Sequence, residues 1–332
     1  MSTPPATDFN RARFEPGQRE GHYESFFQRA NHPTRPLAFW IRYTVFSPDG
    51  HPDAAVGELW AIWFDGESRR HVAVKADVPI ADCQFSRTEL SVRIADATLE
   101  AGRLRGAAAS RDHRVEWDLE FAGDARPMLL LPERLYETAV PRAKALVGLP
   151  LARYRGTLTV DGRPIAVTDW VGSQNHNWGS RHTDHYAWGQ VAGFDERPRT
   201  FLELSTARLR FGPLWTPFFT TIVVRDDGDE LALNSLGQAL RARGRFEYFR
   251  WRFASASGGV AVEGTISAPP DAFVGLAYRN PPGGTKHCLN TKIAACDLRL
   301  TRGGRTEMLA TRHRAAFEIL TDDRSHGIDV LA

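Results

Sequence analysis

The chain has 332 residues, 42% of them hydrophobic and 25% charged, with a mean hydropathy of -0.36; these are values of a globular protein that folds in water, with length for about two domains of roughly 150 residues. Basic residues exceed acidic ones only by 42 to 40, a formal charge of +2, too even a balance for the cationic surface that nucleic-acid binding needs. Three cysteines, Cys83, Cys288 and Cys296, form no Cys-x-x-Cys pair, which argues against a disulfide framework or a thiolate zinc knuckle and for a reducing compartment.

Residues 1–20, rich in proline and charge, are expected to form a flexible tail without an apolar leader. No uncharged run approaches the ~18 residues of a membrane span, so the expectation is a cytoplasmic protein, with peripheral membrane contact left open. Period-two alternation predicts strands over 38–46, 58–64, 71–78 and 90–94. It is clearest from Val115 to Phe121, where Val115, Trp117, Leu119 and Phe121 share one face and Glu116, Asp118 and Glu120 the other. From Glu133 to Val147 the residues Leu135, Ala139, Ala143 and Val147 keep a helical spacing that Pro141 interrupts, which predicts a short broken helix. Strands over 156–160 and 165–170 flank Asp161-Gly162, a hairpin turn. Further strands are predicted over 186–194, 201–209, 220–225, 230–234, 246–254, 260–266, 291–300 and 308–317, with turns at Asp227-Gly228 and Gly303-Gly304. Short strands at this spacing predict an all-β protein of two tandem antiparallel β-barrels, about eight strands each, packed against one another.

The densest chemistry lies between Asp169 and Gln190, which hold three of the eleven histidines and three of the nine tryptophans. In an extended backbone His176 and Trp178 point to one side, and Tyr186, Trp188 and Gln190 share a face as well. An imidazole moves protons near neutral pH and an indole face holds apolar or cationic groups. Asn175 lies in the same segment and would line the site. A structural role for His176, bonded to backbone at the junction of the barrels, and core roles for Trp178 and Trp188 are the alternatives.

The Gln174-Asn-His-Asn-Trp-Gly179 segment, the Tyr186-Ala-Trp-Gly189 strand and the Arg155-Gly-Thr-Leu-Thr-Val-Asp-Gly162 hairpin resemble the AttH and carotenoid 1,2-hydratase group of lipocalin-like proteins. His22-Tyr-Glu-Ser-Phe-Phe-Gln-Arg-Ala-Asn31 and Leu37-Ala-Phe-Trp-Ile-Arg-Tyr43 resemble the opening of that group, and tocopherol cyclases are more distant relatives. The resemblance implies tandem calycin-type, lipocalin-like barrels, placed here over 21–175 and 176–332. It also implies hydration, cyclisation or isomerisation of isoprenoid- or polyketide-like molecules without a cofactor. His176 and Trp178 match the His-x-Trp of the hydratases, while the Tyr-x-Asp that follows in those enzymes has no counterpart here.

Glu203, beside Phe201 and Ser205 on one strand face, is a substitute acid, since a carboxyl in apolar surroundings keeps its proton to higher pH. Solvation of Glu203 on an outer face is the alternative. In the first half, Arg42 shares a face with Trp40, and Glu58 with Trp60, Ile62 and Phe64. A buried Arg42 and Glu58 would need each other, or the two would fix a polar ligand head group, with Glu24 and Arg29 as further contributors. The alternative for Glu24 and Arg29 is an edge strand with solvated charges. His182, Asp184 and His185 are zinc-type ligands without a zinc spacing, so no metal is expected.

The expected function is therefore acid-assisted chemistry on an apolar small molecule, with His176, Trp178, Tyr186 and Glu203 as candidate catalytic residues and Asn175, Trp188, Gln190, Trp40, Arg42 and Glu24 as candidate ligand contacts. A non-catalytic carrier of a hydrophobic ligand is the other reading, and the oligomeric state is left open.

Overall fold

The protein is described by a computed structural model over residues 9–332. Two antiparallel sheets make up nearly all of it, twelve strands from the first half of the chain and ten from the second. At the centre of the first sheet lies His22–Asn31, paired with Leu37–Ser47 on one side and Arg163–Gly179 on the other. The sheet curls until Val72–Pro79, at one end, packs on Arg103–Ala109 near the other, around Phe26, Phe39, Tyr43, Trp117 and Trp170. The second sheet wraps Leu202, Leu204, Trp251, Phe253 and Phe317, with His185–Ala192 and Arg305–Thr321 at its centre. The chain thus forms the two-barrel lipocalin-like architecture, with sheets larger than eight strands apiece.

The barrels meet through their sheets. Trp40, Trp60, Ile62 and Phe64 of the first pack against Val274, Leu276, Tyr278 and Leu320 of the second. Strands 22–31 and 37–47 and the 170–179 end of strand 163–179 are consequently buried on both faces, one toward their own barrel and one toward the neighbour. No helix among the described residues is long and apolar enough to cross a membrane.

Several expectations give way to pairing. The segment 143–147 is not helical: it opens the strand Ala143–Val160, where Ala143 faces Gly179 and Val147 faces Asn175, and only a turn of 3-10 helix remains at Glu133–Tyr136. The ladder offered by a neighbouring strand outweighs an i+4 spacing already broken by proline. Strand 163–179 continues through His176 to Gly179, so residues 176–179 finish the first sheet instead of opening the second. The run 246–254 breaks at Phe249, where φ is +77°, into a hairpin of Arg243–Glu247 and Arg250–Ser257. A helix at Leu236–Arg241 carries a capping box of Ser235 and Gln238 that marks its start in the sequence. Of the expected tail, residues 1–8 lie outside the described residues, whereas Ala12 and Phe14 are buried against the first barrel.

Candidate functional site

Strand alternation sorts the candidate residues onto two faces of the same wall. Glu24 and Phe26 look into the first barrel, in register with Trp178 and His176 of the adjoining strand. Glu24 Oε1 accepts from His176 Nε2 at 2.7 Å and Oε2 from His22 Nε2 at 3.1 Å. The backbone N–H groups of Arg13 and Phe14 donate to the same carboxylate at 2.8 Å. Burial would raise the Glu24 carboxyl, but the hydrogen bonds from His176 and His22 outweigh it and bring it to about 2. The other nitrogen of His176, Nδ1, lies 2.8 Å from the Phe9 carbonyl oxygen. Each nitrogen of the His176 ring thus faces an oxygen. The ring stacks on Phe26 at 4.2 Å and adjoins Trp178 at 4.7 Å, and the Arg13 guanidinium lies 4.9 Å from the Trp178 ring. Glu24, His176 and Trp178 therefore tie residues 9–14 across one end of the first barrel.

The remaining candidates meet in the seam between the barrels, Asn175, Trp40 and Arg42 from the first sheet and Tyr186, Trp188, Gln190 and Glu203 from the second. Gln190 is the hub: its Oε1 accepts from Arg29 Nε at 2.7 Å and Ser173 Oγ at 2.6 Å, and its Nε2 donates to Asn175 Oδ1 at 2.8 Å and Glu203 Oε2 at 2.7 Å. Trp188 Nε1 donates to Glu203 Oε1 at 2.8 Å. Glu203 is thus buried, not solvated, and held by two neutral donors. Burial pushes its carboxyl up to about 7, further than those donors and the distant Arg29 charge pull it down. A carboxyl poised there is partly protonated at neutral pH and can both give up a proton and take one back.

Beside Glu203 runs an apolar wall. Phe27 meets Trp188 edge-on at 6.0 Å and lies 6.1 Å from Trp40, and Tyr186 packs with Phe27, Trp40 and Trp188. Lys292, buried and unforeseen, sits 5.4 Å from the Trp188 ring and 5.7 Å from the Trp40 ring. Its Nζ donates to Glu318 Oε1 at 2.6 Å and Asn290 Oδ1 at 2.5 Å. Burial lowers the Lys292 ammonium against the pull of Glu318. The sequence did carry a signal: Cys288, Asn290 and Lys292 alternate along one strand, and Glu318 interrupts the apolar run Ala315–Leu320.

Arg42 and Glu58 do not pair with each other. Glu58 Oε1 takes Lys75 at 3.0 Å and Arg279, and its Oε2 takes Trp60 Nε1 at 3.1 Å; Arg42 turns to Ser25 Oγ, at 2.8 Å from Nε. Arg29 and Glu24 lie on a central strand, not an edge, and on opposite faces of it. A hollow of about 10 Å³ opens between the barrels among Tyr23, Arg42, His182 and Tyr278. A larger surface hollow of about 500 Å³, bordered by Asp53, Val56 and Ile80, lies away from all of these groups.

Among the described residues no group of three or more His, Cys, Asp or Glu side chains is arranged to hold a metal ion. Asp184 pairs with Arg181 at 2.5 Å, while His182 and His185 bond backbone oxygens of Arg279 and Leu320.

Two barrels joined back to back, with a polar and aromatic seam between them, make a two-barrel, lipocalin-like fold. The chain is similar in fold to an AttH candidate from Nitrosomonas europaea, at 15% identity and a TM-score of 0.59, over 97% of this chain and 96% of that one. It is similar also to kievitone hydratase from Nectria haematococca, at 12% identity and a TM-score of 0.55, over 95% of each chain. At such identities the likeness is one of fold. No protein-family model and no curated protein sequence matches the chain.

Proposed function

We propose that this protein is a hydratase-like enzyme that acts on an apolar, isoprenoid- or polyketide-like alkene in the seam between its barrels, with Glu203 as the proton donor. The observation that carries the reading is a buried carboxyl near pKa 7, bonded by Trp188 and Gln190, at the end of a wall of aromatic rings. The fold shared with a kievitone hydratase supports the reaction type. Glu203 gives its proton to one alkene carbon, and the positive charge that develops on the other is favoured by the faces of Phe27, Trp40 and Trp188. Water adds to that carbon and its surplus proton returns to the Glu203 carboxylate, so that one water is gained and the acid is restored. Capture of the same cation by an internal group gives cyclisation, and loss of a different proton gives isomerisation.

Gln190, Asn175 and Arg29 fix the orientation of the donors, and Tyr186, Trp188, Trp40 and Arg42 shape the site. In this reading Glu24, His176 and Trp178 leave the catalytic set and hold the first barrel closed. The test is incubation with kievitone and a panel of isoprenoid alkenes in ¹⁸O-labelled water, followed by mass spectrometry. The wild type should yield a product heavier by one labelled water, and Glu203→Gln should turn over at least about 100-fold more slowly with unchanged circular dichroism. Undiminished turnover in the variant rules out Glu203 as the acid. A ligand retained by the wild type without chemical change favours the carrier.

A further inference from the structure

Arg42 is a buried guanidinium without an ion-pair partner among the described residues. It is 5% exposed, and its Nε and Nη2 both donate to Ser25 Oγ at 2.8 and 2.5 Å. The charges around it are matched without it. Lys75 and Arg279 balance Glu58 and Asp77, with Lys75 and Arg279 each 3.1 Å from Asp77, and Lys292 balances Glu318. His182, driven down to about 3 by burial and then by Arg42 itself, is neutral. Burial works against the Arg42 charge, but the fields of Tyr278, Glu58, Glu318 and Tyr186 outweigh it and hold the guanidinium above its ordinary value. The two phenols are themselves raised well above their ordinary value by burial and so are uncharged at neutral pH.

The geometry points to Arg42 as the receptor for the carboxylate of an acidic, apolar substrate; this rests on the proposal that the seam takes an apolar ligand. The guanidinium lies 4.6 Å from the Tyr278 ring and borders the small hollow between the barrels, where the space suits a single oxygen atom. An incoming anionic oxygen supplies the directly bonded counter-charge that Arg42 otherwise receives only at a distance, from Glu58 and Glu318. From Arg42 a continuous run of rings leads inward, to Trp40 at 5.8 Å, on to Phe27 and Trp188, and ends on Glu203. These rings are packed in contact and the hollow holds a single small atom, so a molecule with an acid at one end and a double bond several carbons away would present the alkene to the proton donor by parting them while its head stays on Arg42.

Retinoic acid and retinol share an isoprenoid body and differ in the head group, so their binding, followed by quenching of tryptophan fluorescence, isolates the contribution of the acid. The wild type should bind retinoic acid at least about tenfold more tightly than retinol. Arg42→Met should bind the two alike and melt no lower than the wild type, because an unmatched buried charge gives way to an apolar chain of similar length. Arg42→Lys, which keeps the charge but not the planar fork, should retain a reduced preference for the acid. Equal binding of acid and alcohol by the wild type, or a preference that survives in Arg42→Met, overturns the role of Arg42 and leaves the apolar-ligand reading standing. Equal loss of both ligands in Arg42→Met marks the residue as structural and overturns it too. Failure of the wild type to bind either one overturns the parent reading, and the inference with it.

Discussion

Glu24 and Glu203 are both buried on central strands, yet Glu24 is brought down to about 2 and Glu203 is pushed up to about 7. The contrast lies in their donors. Glu24 receives two backbone N–H groups and two imidazoles, so the charged form is the one its surroundings complete. Glu203 receives one indole and one amide, with the Glu318 charge opposing its ionisation. Burial alone therefore does not mark a working carboxyl; what marks it is burial without enough charge-stabilising partners.

The largest effect expected from this contrast is on stability. Glu24→Ala strands a buried His176 and the N–H groups of Arg13 and Phe14, and should cost about 3–5 kcal/mol in urea unfolding. Glu203→Gln keeps the shape and removes a carboxyl whose charged form the fold disfavours, so it should change stability by less than about 1 kcal/mol at acid pH. Equal losses in the two variants would dissolve the distinction between a structural and a poised carboxyl.

The pH dependence should separate the two in sign. Glu24 lies below its unfolded value of 4.5, so its contribution, on the order of 3 kcal/mol, is present above pH 4.5 and fades as the pH falls toward 2. Glu203 lies above that value, so its contribution, of the same order, is present below pH 4.5 and is lost as the pH rises to about 7. Glu203→Gln should accordingly gain on the wild type across pH 4.5 to 7 in thermal melts, while a Glu24 variant should unfold with less dependence on pH at the acid end. A wild-type difference that stays flat across the upper window would contradict the poised state of Glu203.

Alternation alone made the local geometry legible. It placed Tyr186, Trp188 and Gln190 on one face, paired His176 with Trp178, and set Glu203 beside Phe201 and Ser205. It could not say which face looked where, because strands 22–31 and 37–47 and residues 170–179 bury both sides and lose the polar-out signal that orients a strand. Hence the histidine and Trp178 went to the barrel interior while Trp188 and Glu203 went to the seam, 15 residues apart in the case of Trp188 and Glu203 yet joined by a hydrogen bond. The need of Arg42 and Glu58 for partners was readable from their apolar neighbours. The identity of those partners was not, since Lys75 and Arg279 arrive through strand order and through the second barrel, 221 residues along the chain in the case of Arg279.

The finest test acts on a single donor. Trp188→Phe keeps a ring against Phe27 but removes the N–H that reaches Glu203 Oε1, one of the two bonds that favour its charged form. Loss of such a bond to a charged group is worth about 1.5–3 kcal/mol, so the Glu203 carboxyl should rise by about one to two pH units. In the proposed reaction the protonated acid is the active form, so turnover that declines above pH 7 in the wild type should hold to correspondingly higher pH in the variant. A structural tryptophan would lower activity by the same factor at every pH, and a profile that moves down without moving sideways would take Trp188 out of the site while leaving Glu203 in it.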